Sequence, residues 1–205
     1  LSESAGASIS FFNSGTSAIE GKDFYNQSTG MFGANEGYVM FSFGSSVNQN
    51  ISFGLSVKAI FNNIDTYSGK GISGDIGVLY DLSDKIGLSL FINDVFGKYS
   101  WEGLSASSAS FEETLPMISS FSIRYDIKNN ISLFSKIDYM KPNQLNLFRL
   151  RSGLELNRNN YVLRFGIIQD KGTGHNESLD FKYLLGAGTN ITVLGGQVIK
   201  LDYCL

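Results

Sequence analysis

The chain has 205 residues with 16 basic and 19 acidic side chains, a net charge of −3, 17% charged residues, 16 Phe, 10 Tyr, one Trp and two prolines. A charged share well under the roughly 25% of an ordinary soluble domain, joined to many aromatics, excludes a disordered chain. The slight acidic balance argues against a nucleic-acid binder, the single cysteine excludes a disulfide framework or multi-thiolate metal site, and no apolar run approaches the ~18 residues of a transmembrane helix.

Near-neutral mean hydropathy without a helical span leaves a soluble β protein or a transmembrane β-barrel. Strict apolar/polar alternation, the mark of a strand with two unlike faces, runs through most of the chain. Weaker strands fall near 5–12 and 34–45. Over 51–61 one face reads Ile51, Phe53, Leu55, Val57, Ala59 and Phe61, against Ser52, Gly54, Ser56, Lys58 and Ile60. Two further weak strands follow near 71–81 and 85–94. The pattern then sharpens. Phe121, Ile123, Tyr125 and Ile127 oppose Ser122, Arg124 and Asp126; Ile131, Leu133, Ile137 and Tyr139 oppose Ser132, Phe134, Lys136 and Asp138. Phe148, Leu150, Leu154 and Leu156 oppose Arg149, Arg151, Gly153 and Glu155; Tyr161, Leu163, Phe165 and Ile167 oppose Val162, Arg164 and Gly166. Leu179, Phe181, Tyr183 and Leu185 oppose Asp180 and Lys182, and Ile199, Leu201, Tyr203 and Leu205 oppose Lys200, Asp202 and Cys204. The fold class is therefore all-β, with about eleven strands in one domain spanning 1–205.

The connections alternate in length. Short polar turns are expected at 46–49, 82–84, 128–130, 157–159 and 192–195, and long segments at 13–33, 62–70, 95–116, 141–145 and 170–176. Short and long in turn is the rhythm of an up-and-down transmembrane β-barrel with tight periplasmic turns and longer outer loops. A soluble sandwich also alternates, so strand length and charge placement must decide. Ten residues tilted about 45° cover roughly 23 Å, close to the ~25 Å apolar band of outer-membrane barrels. Lys58, Asp75, Arg124, Asp126, Lys136, Asp138, Arg149, Arg151, Glu155, Arg164, Asp180 and Lys182 place both signs of charge in mid-strand. That suits a watery lumen. A barrel of about eleven strands or more is too wide for side chains to fill, so apolar-out is the physical choice. Tyr80, Tyr125 and Tyr161 beside short turns, with Tyr139, Phe148, Tyr203 and Phe61 near the long-loop ends, read as two interfacial aromatic girdles.

The expected first and last strands both run outward. Bacterial barrels usually have an even strand number, so the chain is expected to be incomplete at both ends. Asn13-Ser14-Gly15, Thr29-Gly30-Met31-Phe32-Gly33-Ala34, the hairpin from Gly77-Val78-Leu79-Tyr80 through Gly87-Leu88-Ser89-Leu90 to Asn93 and Gly97, Leu115-Pro116, and Leu201-Asp202-Tyr203 resemble the PorV/PorQ group of outer-membrane barrels, related to FadL-type transporters. The resemblance implies a barrel of about fourteen strands, two lying before and one after the eleven expected here. It implies a bacterial outer-membrane location in contact with lipid. It also implies a non-enzymatic accessory role in type IX protein secretion, with a larger translocon barrel or exported proteins as partners.

Chemistry-bearing residues are sparse. His175, the sole histidine, lies in a Gly-Thr-Gly-His-Asn-Glu loop and reads as an exposed loop residue rather than a catalytic base or metal ligand. Cys204 reads as an inert thiol. Arg124/Asp126, Lys136/Asp138 and Asp180/Lys182 read as lumenal ion-pair ladders. Arg149, Arg151 and Arg164 are either an anion-selective constriction or partners of Glu155, Asp138 and Asp170, the pairing being favoured. The Asn-Xaa-Ser/Thr matches at Asn26, Asn50, Asn130, Asn176 and Asn190 mostly fall at turns, where Asn is favoured for backbone reasons. Residues 103–110 read as a flexible outer loop. No catalytic, cofactor or metal site is assigned. Beside the secretion accessory role stand a FadL-like passive transporter of hydrophobic or small solutes, and a soluble β-sandwich binding protein.

Overall fold

A computed structural model describes residues 4–103, 110–141, 146–172, 179–192 and 198–204. Among them the elements are all strands: β1 (Ala5–Lys22), β2 (Ser28–Ser46), β3 (Ile51–Ile64), β4 (Tyr67–Ser83), β5 (Ile86–Asn93), β6 (Lys98–Gly103) and β7 (Phe111–Thr114). There follow β8 (Ile118–Lys128), β9 (Ile131–Met140), β10 (Leu147–Arg158), β11 (Tyr161–Gly172), β12 (Asp180–Thr192) and β13 (Val198–Cys204). Sheet neighbours run β1-β2-β3-β4-β5-β8-β9-β10-β11-β12-β13, while β6 pairs with β4 and β7. The expected up-and-down, all-β architecture is what the chain forms, and the eleven strands of the main path correspond to the eleven read from the sequence.

Contacts divide the chain into two compact units, Leu1–Ser46, Phe53–Gly77 and Ile92–Met117 in the first, Val47–Ser52, Val78–Phe91 and Ile118–Leu205 in the second. In the first, β1 and β2 pair antiparallel from Ala5↔Ser45 to Lys22↔Ser28. In the second, β8 to β13 form an antiparallel run, anchored by Tyr125↔Leu133, Leu154↔Leu133, Leu154↔Phe165, Phe165↔Leu185 and Ala187↔Tyr203.

Three expected long connections are shorter than the sequence suggested. Segment 13–33 is mostly paired strand closed by a turn at 23–27, where Asp23 accepts the N–H groups of Tyr25 and Gln27, each at 2.9 Å. Alternation fades there because β1, at 18 residues, outruns the ~25 Å apolar band; Asn13 and Gly15 replace apolar residues on the face that carries Ile9 and Phe11. Asn13 instead hydrogen-bonds Asn35 on β2 at 2.8 Å. Segment 62–70 contracts to a turn at Asp65 and Thr66, with Asp65 at φ 51°, a left-handed conformation that Asp tolerates. Segment 95–116 contains β6 and β7, whose four to six residues are too short for the alternation to stand out. The expected turns at 46–49, 82–84, 128–130 and 157–159 are present, displaced by about a residue. Most of 103–110 and 141–145, much of 170–176 and the centre of 192–195 lie outside the described residues, as do His175, Asn176 and Leu205.

Burial separates barrel from sandwich. Trp101, 7% exposed, is the one buried large hydrophobic among the described residues, whereas Ile9, Phe41, Leu55, Ile123, Leu163, Phe165 and Leu185 are all exposed. A soluble sandwich turns such faces inward to make its core. Here they face outward and the polar faces are the more covered, so the soluble reading is excluded. Tyr80, Tyr125 and Tyr161 are exposed beside their turns. Tyr139 lies tilted against Phe148 at 5.0 Å, and Phe61 stacks on Phe11 at 6.3 Å. Tyr203 departs from its expected place: Leu163↔Ala187↔Tyr203 sets it one apolar position from the level of Tyr161, at the short-turn end rather than the long-loop end.

Candidate functional site

The side chains able to meet a solute lie on the polar strand faces. In the second unit, cross-strand register sorts them into rows. Ser120, Asp138, Arg149, Asp170 and Asp180 form one row, and Ser122, Lys136, Arg151, Ile168 and Lys182 the next. Charges of opposite sign meet within and between these rows. Arg149 pairs with Asp170, and Arg151 with Asp138. Lys136 reaches Asp138 at 3.2 Å, and Lys182 reaches Asp180 at 3.6 Å and Asp170 at 3.7 Å. Asp138 is buried and also accepts the hydroxyl of Ser120 at 2.6 Å.

Nearer the short turns, Arg124 lies between Asp81 at 3.4 Å and Asp126 at 3.3 Å. Arg164 binds Glu155 at 2.7 Å and also Asp202. Every pairing expected from the alternation is thus made. Arg149, Arg151 and Arg164 are each neutralised by a carboxylate, so they do not form an anion-selective ring. Between the two charged zones runs a different row: Arg124, Phe134, Gly153, Gly166 and Leu184. Phe134 is 41% exposed there. On one side of it Gly153, Gly166 and Gly186 floor a hollow of about 300 Å³. On the other, Ser52, Ser89, Ser122 and Gly87 line one of about 380 Å³. Cys204 is exposed at the edge of the first.

The first unit carries two clusters that alternation did not disclose. In the first, Lys58 of β3 lies 2.8 Å from Asp75 of β4 and 2.8 Å from Asp94. The fully buried Ser73 donates to Asp94 at 2.7 Å, and the Asp94 N–H donates to Asp75 at 3.0 Å. Asp94 holds φ at 56°, so two carboxylates, a hydroxyl and an ammonium fasten a left-handed bend at the end of β5. The residue pairs are up to 36 positions apart, and only the register of β3 and β4 could have revealed them.

The second cluster is aromatic. Gly69↔Trp101, Gly71↔Tyr99 and Trp101↔Phe111 place rings on the β4 face that carries Ser73 and Asp75. Trp101 stacks on Phe111 at 6.0 Å and lies 5.8 Å from Tyr99, while Tyr67 meets Phe111 edge-on at 6.3 Å. Gly69 is required beneath the indole, since a Cβ there would sit 2.8 Å from a Trp101 ring carbon. The indole Nε1–H donates to Glu113 at 3.1 Å. The available signal was the short alternation Tyr99, Trp101 against Lys98, Ser100, Glu102.

No family model matches this chain, and no curated protein does. The PorV/PorQ resemblance therefore gains no support from sequence comparison. Solved structures do match. A FadL homologue of Pseudomonas aeruginosa matches the whole chain with a TM-score of 0.71 at 12% identity, and the chain spans 66% of that protein's length. The monoaromatic hydrocarbon channel CymD matches the whole chain with a TM-score of 0.69 at 12% identity, over 75% of its own length. The toluene transporter TbuX of Ralstonia pickettii matches 93% of the chain with a TM-score of 0.62 at 10% identity, over 70% of its length. At such identities the likeness is one of fold: that of a FadL-like up-and-down β-barrel.

Proposed function

We propose that this protein is an outer-membrane channel for small hydrophobic compounds, in the manner of FadL-type transporters. The observation that carries the reading is the aromatic cluster of Tyr67, Tyr99, Trp101 and Phe111 on a strand face otherwise given to polar groups. The exposed rings of Tyr67 and Phe111, with the buried Trp101 stacked on Phe111, offer an apolar solute a partner that water does not. The FadL-like fold, shared with proteins described as hydrocarbon channels, supports it. So does the pairing of Arg124, Arg149, Arg151 and Arg164 with carboxylates, which weakens the field that would favour ions over neutral molecules.

Proteoliposomes carrying the protein should take up radiolabelled toluene faster than empty liposomes, and Trp101→Ala should slow the uptake. Uptake equal to that of empty liposomes would remove the reading. The secretion accessory role makes the opposite demand: stoichiometric co-purification with a larger barrel or an exported protein, without toluene flux.

A further inference from the structure

We infer that the polar face of β4, β5, β8 and β9 carries a subsite for an uncharged saccharide, held by the hydroxyls of Ser89 and Ser122 between Leu79 and Phe134. The inference goes beyond the channel reading and does not rest on it. Its residues lie in the second unit, whereas the aromatic cluster lies in the first. The four strands are neighbours in that order, so Leu79 of β4 and Phe134 of β9 flank the two serines. Both flanking side chains are apolar on a face otherwise polar. Leu79, two residues before Asp81, is 57% exposed, and Phe134, opposite Arg124, is 41% exposed.

These side chains line one hollow of about 380 Å³, bordered also by Arg124 and Lys136. That volume falls within the range of small-molecule sites, which begins near ~300 Å³. Ser89 and Ser122 are half-buried, and among the described residues nothing hydrogen-bonds the side chain of either. Each hydroxyl can both donate and accept, as a sugar's hydroxyls do. The C–H face of a sugar ring, in turn, packs on an aromatic or aliphatic side chain, which Phe134 and Leu79 supply. A hydrocarbon in the same place would take water from both serines and return no hydrogen bond. The hollow therefore asks for a solute that is apolar on its faces and hydroxylated at its rim.

The charged border favours a neutral solute. Arg124 lies 3.4 Å from Asp81 and 3.3 Å from Asp126, and Lys136 lies 3.2 Å from Asp138. An anion would have to draw Arg124 away from two carboxylates. An ammonium would have to draw Asp81 away from Arg124. A hydroxylated solute displaces neither, because a guanidinium with five N–H donors keeps some for a ligand and a carboxylate keeps lone pairs. Gly87 lets the ion pair lie close to the strand: a Cβ there would sit 3.2 Å from Asp81 Oδ1 and 3.4 Å from Arg124 Nη2.

The test titrates lactose and its acid counterpart lactobionate into the protein in nanodiscs and reads binding by saturation-transfer NMR against empty nanodiscs. Lactose should bind saturably, and lactobionate more weakly. Ser89→Ala combined with Ser122→Ala should weaken lactose binding about tenfold, the effect of two lost hydrogen bonds. Neither serine gives up a partner within the fold, so the variant should keep the wild-type circular dichroism. Phe134→Ala should weaken lactose binding about fivefold by removing one flank. Absence of saturable lactose binding to the wild type overturns the inference. So does a double serine variant that binds lactose as the wild type does. Tighter binding of lactobionate than of lactose would make the hollow an anion site and overturn the assignment to an uncharged solute. Toluene uptake, whether present or absent, decides only the channel reading.

Discussion

Replacing Lys58 by Met removes the only cation of a cluster whose three charged side chains are 12% (Lys58), 6% (Asp75) and 19% (Asp94) exposed. Asp94 would keep the Ser73 hydroxyl, and Asp75 would keep the Asp94 N–H. Neither donor supplies a full positive charge. Two carboxylates about 4 Å apart repel by about 4 kcal/mol at an effective dielectric of ~20. Removing one partner from a buried ion pair typically costs about 3–5 kcal/mol. Both routes place the loss near 3–4 kcal/mol. The chain's single tryptophan, Trp101, lies in the same unit and reports the transition directly. Urea unfolding in lipid vesicles, followed by Trp101 emission, should show this loss for Lys58→Met. Adding Asp75→Asn and Asp94→Asn to Lys58→Met should recover most of it, since no buried charge then lacks a partner. A loss below about 1 kcal/mol, or a triple variant no more stable than the single one, refutes the reasoning.

Further outcomes follow from single contacts. Gly71→Ala puts a Cβ 2.5 Å from the Lys98 carbonyl oxygen, a backbone atom that no rotamer change can move. It should cost about 1–3 kcal/mol and expose β6 to limited proteolysis, whereas Gly6→Ala, with nothing within 4 Å, should be neutral in the same assay. Asp138→Asn leaves Arg151 and Lys136 without their carboxylate, so the reversal potential across a bilayer under a KCl gradient should move toward anion preference. Glu113→Leu deletes the acceptor of the Trp101 indole; it should cost about 1 kcal/mol and shift the emission maximum while the β-sheet circular dichroism persists.

Much of the second unit could be read from residue order. Arg149, Arg151 and Arg164 found the carboxylates that alternation assigned to the same face, because residues two apart on one strand share a side and strands that keep their apolar sets on one face gather their polar sets on the other. The first unit was less legible. Residues 13–33 lose their apolar face where β1 and β2 pass beyond the apolar band, so a paired hairpin resembles a loop. Lys98–Gly103 and Phe111–Thr114 are too short to show a period, and β4, to which Lys98–Gly103 pairs, lies about 30 residues back in the chain.

Low charge and abundant aromatics are properties of the chain, and the two-residue period alone determined how they divide between faces: apolar on one, ionic on the other. The period is local, since successive side chains on any strand point opposite ways. Register is not local. Which residues from different strands share one spot depends on how strands slide past one another, and a slip of one residue exchanges the faces. Only the tertiary structure could bring Asp94 to Lys58 and Asp75, lay Trp101 over Gly69, and leave Phe134 beside two facing glycines.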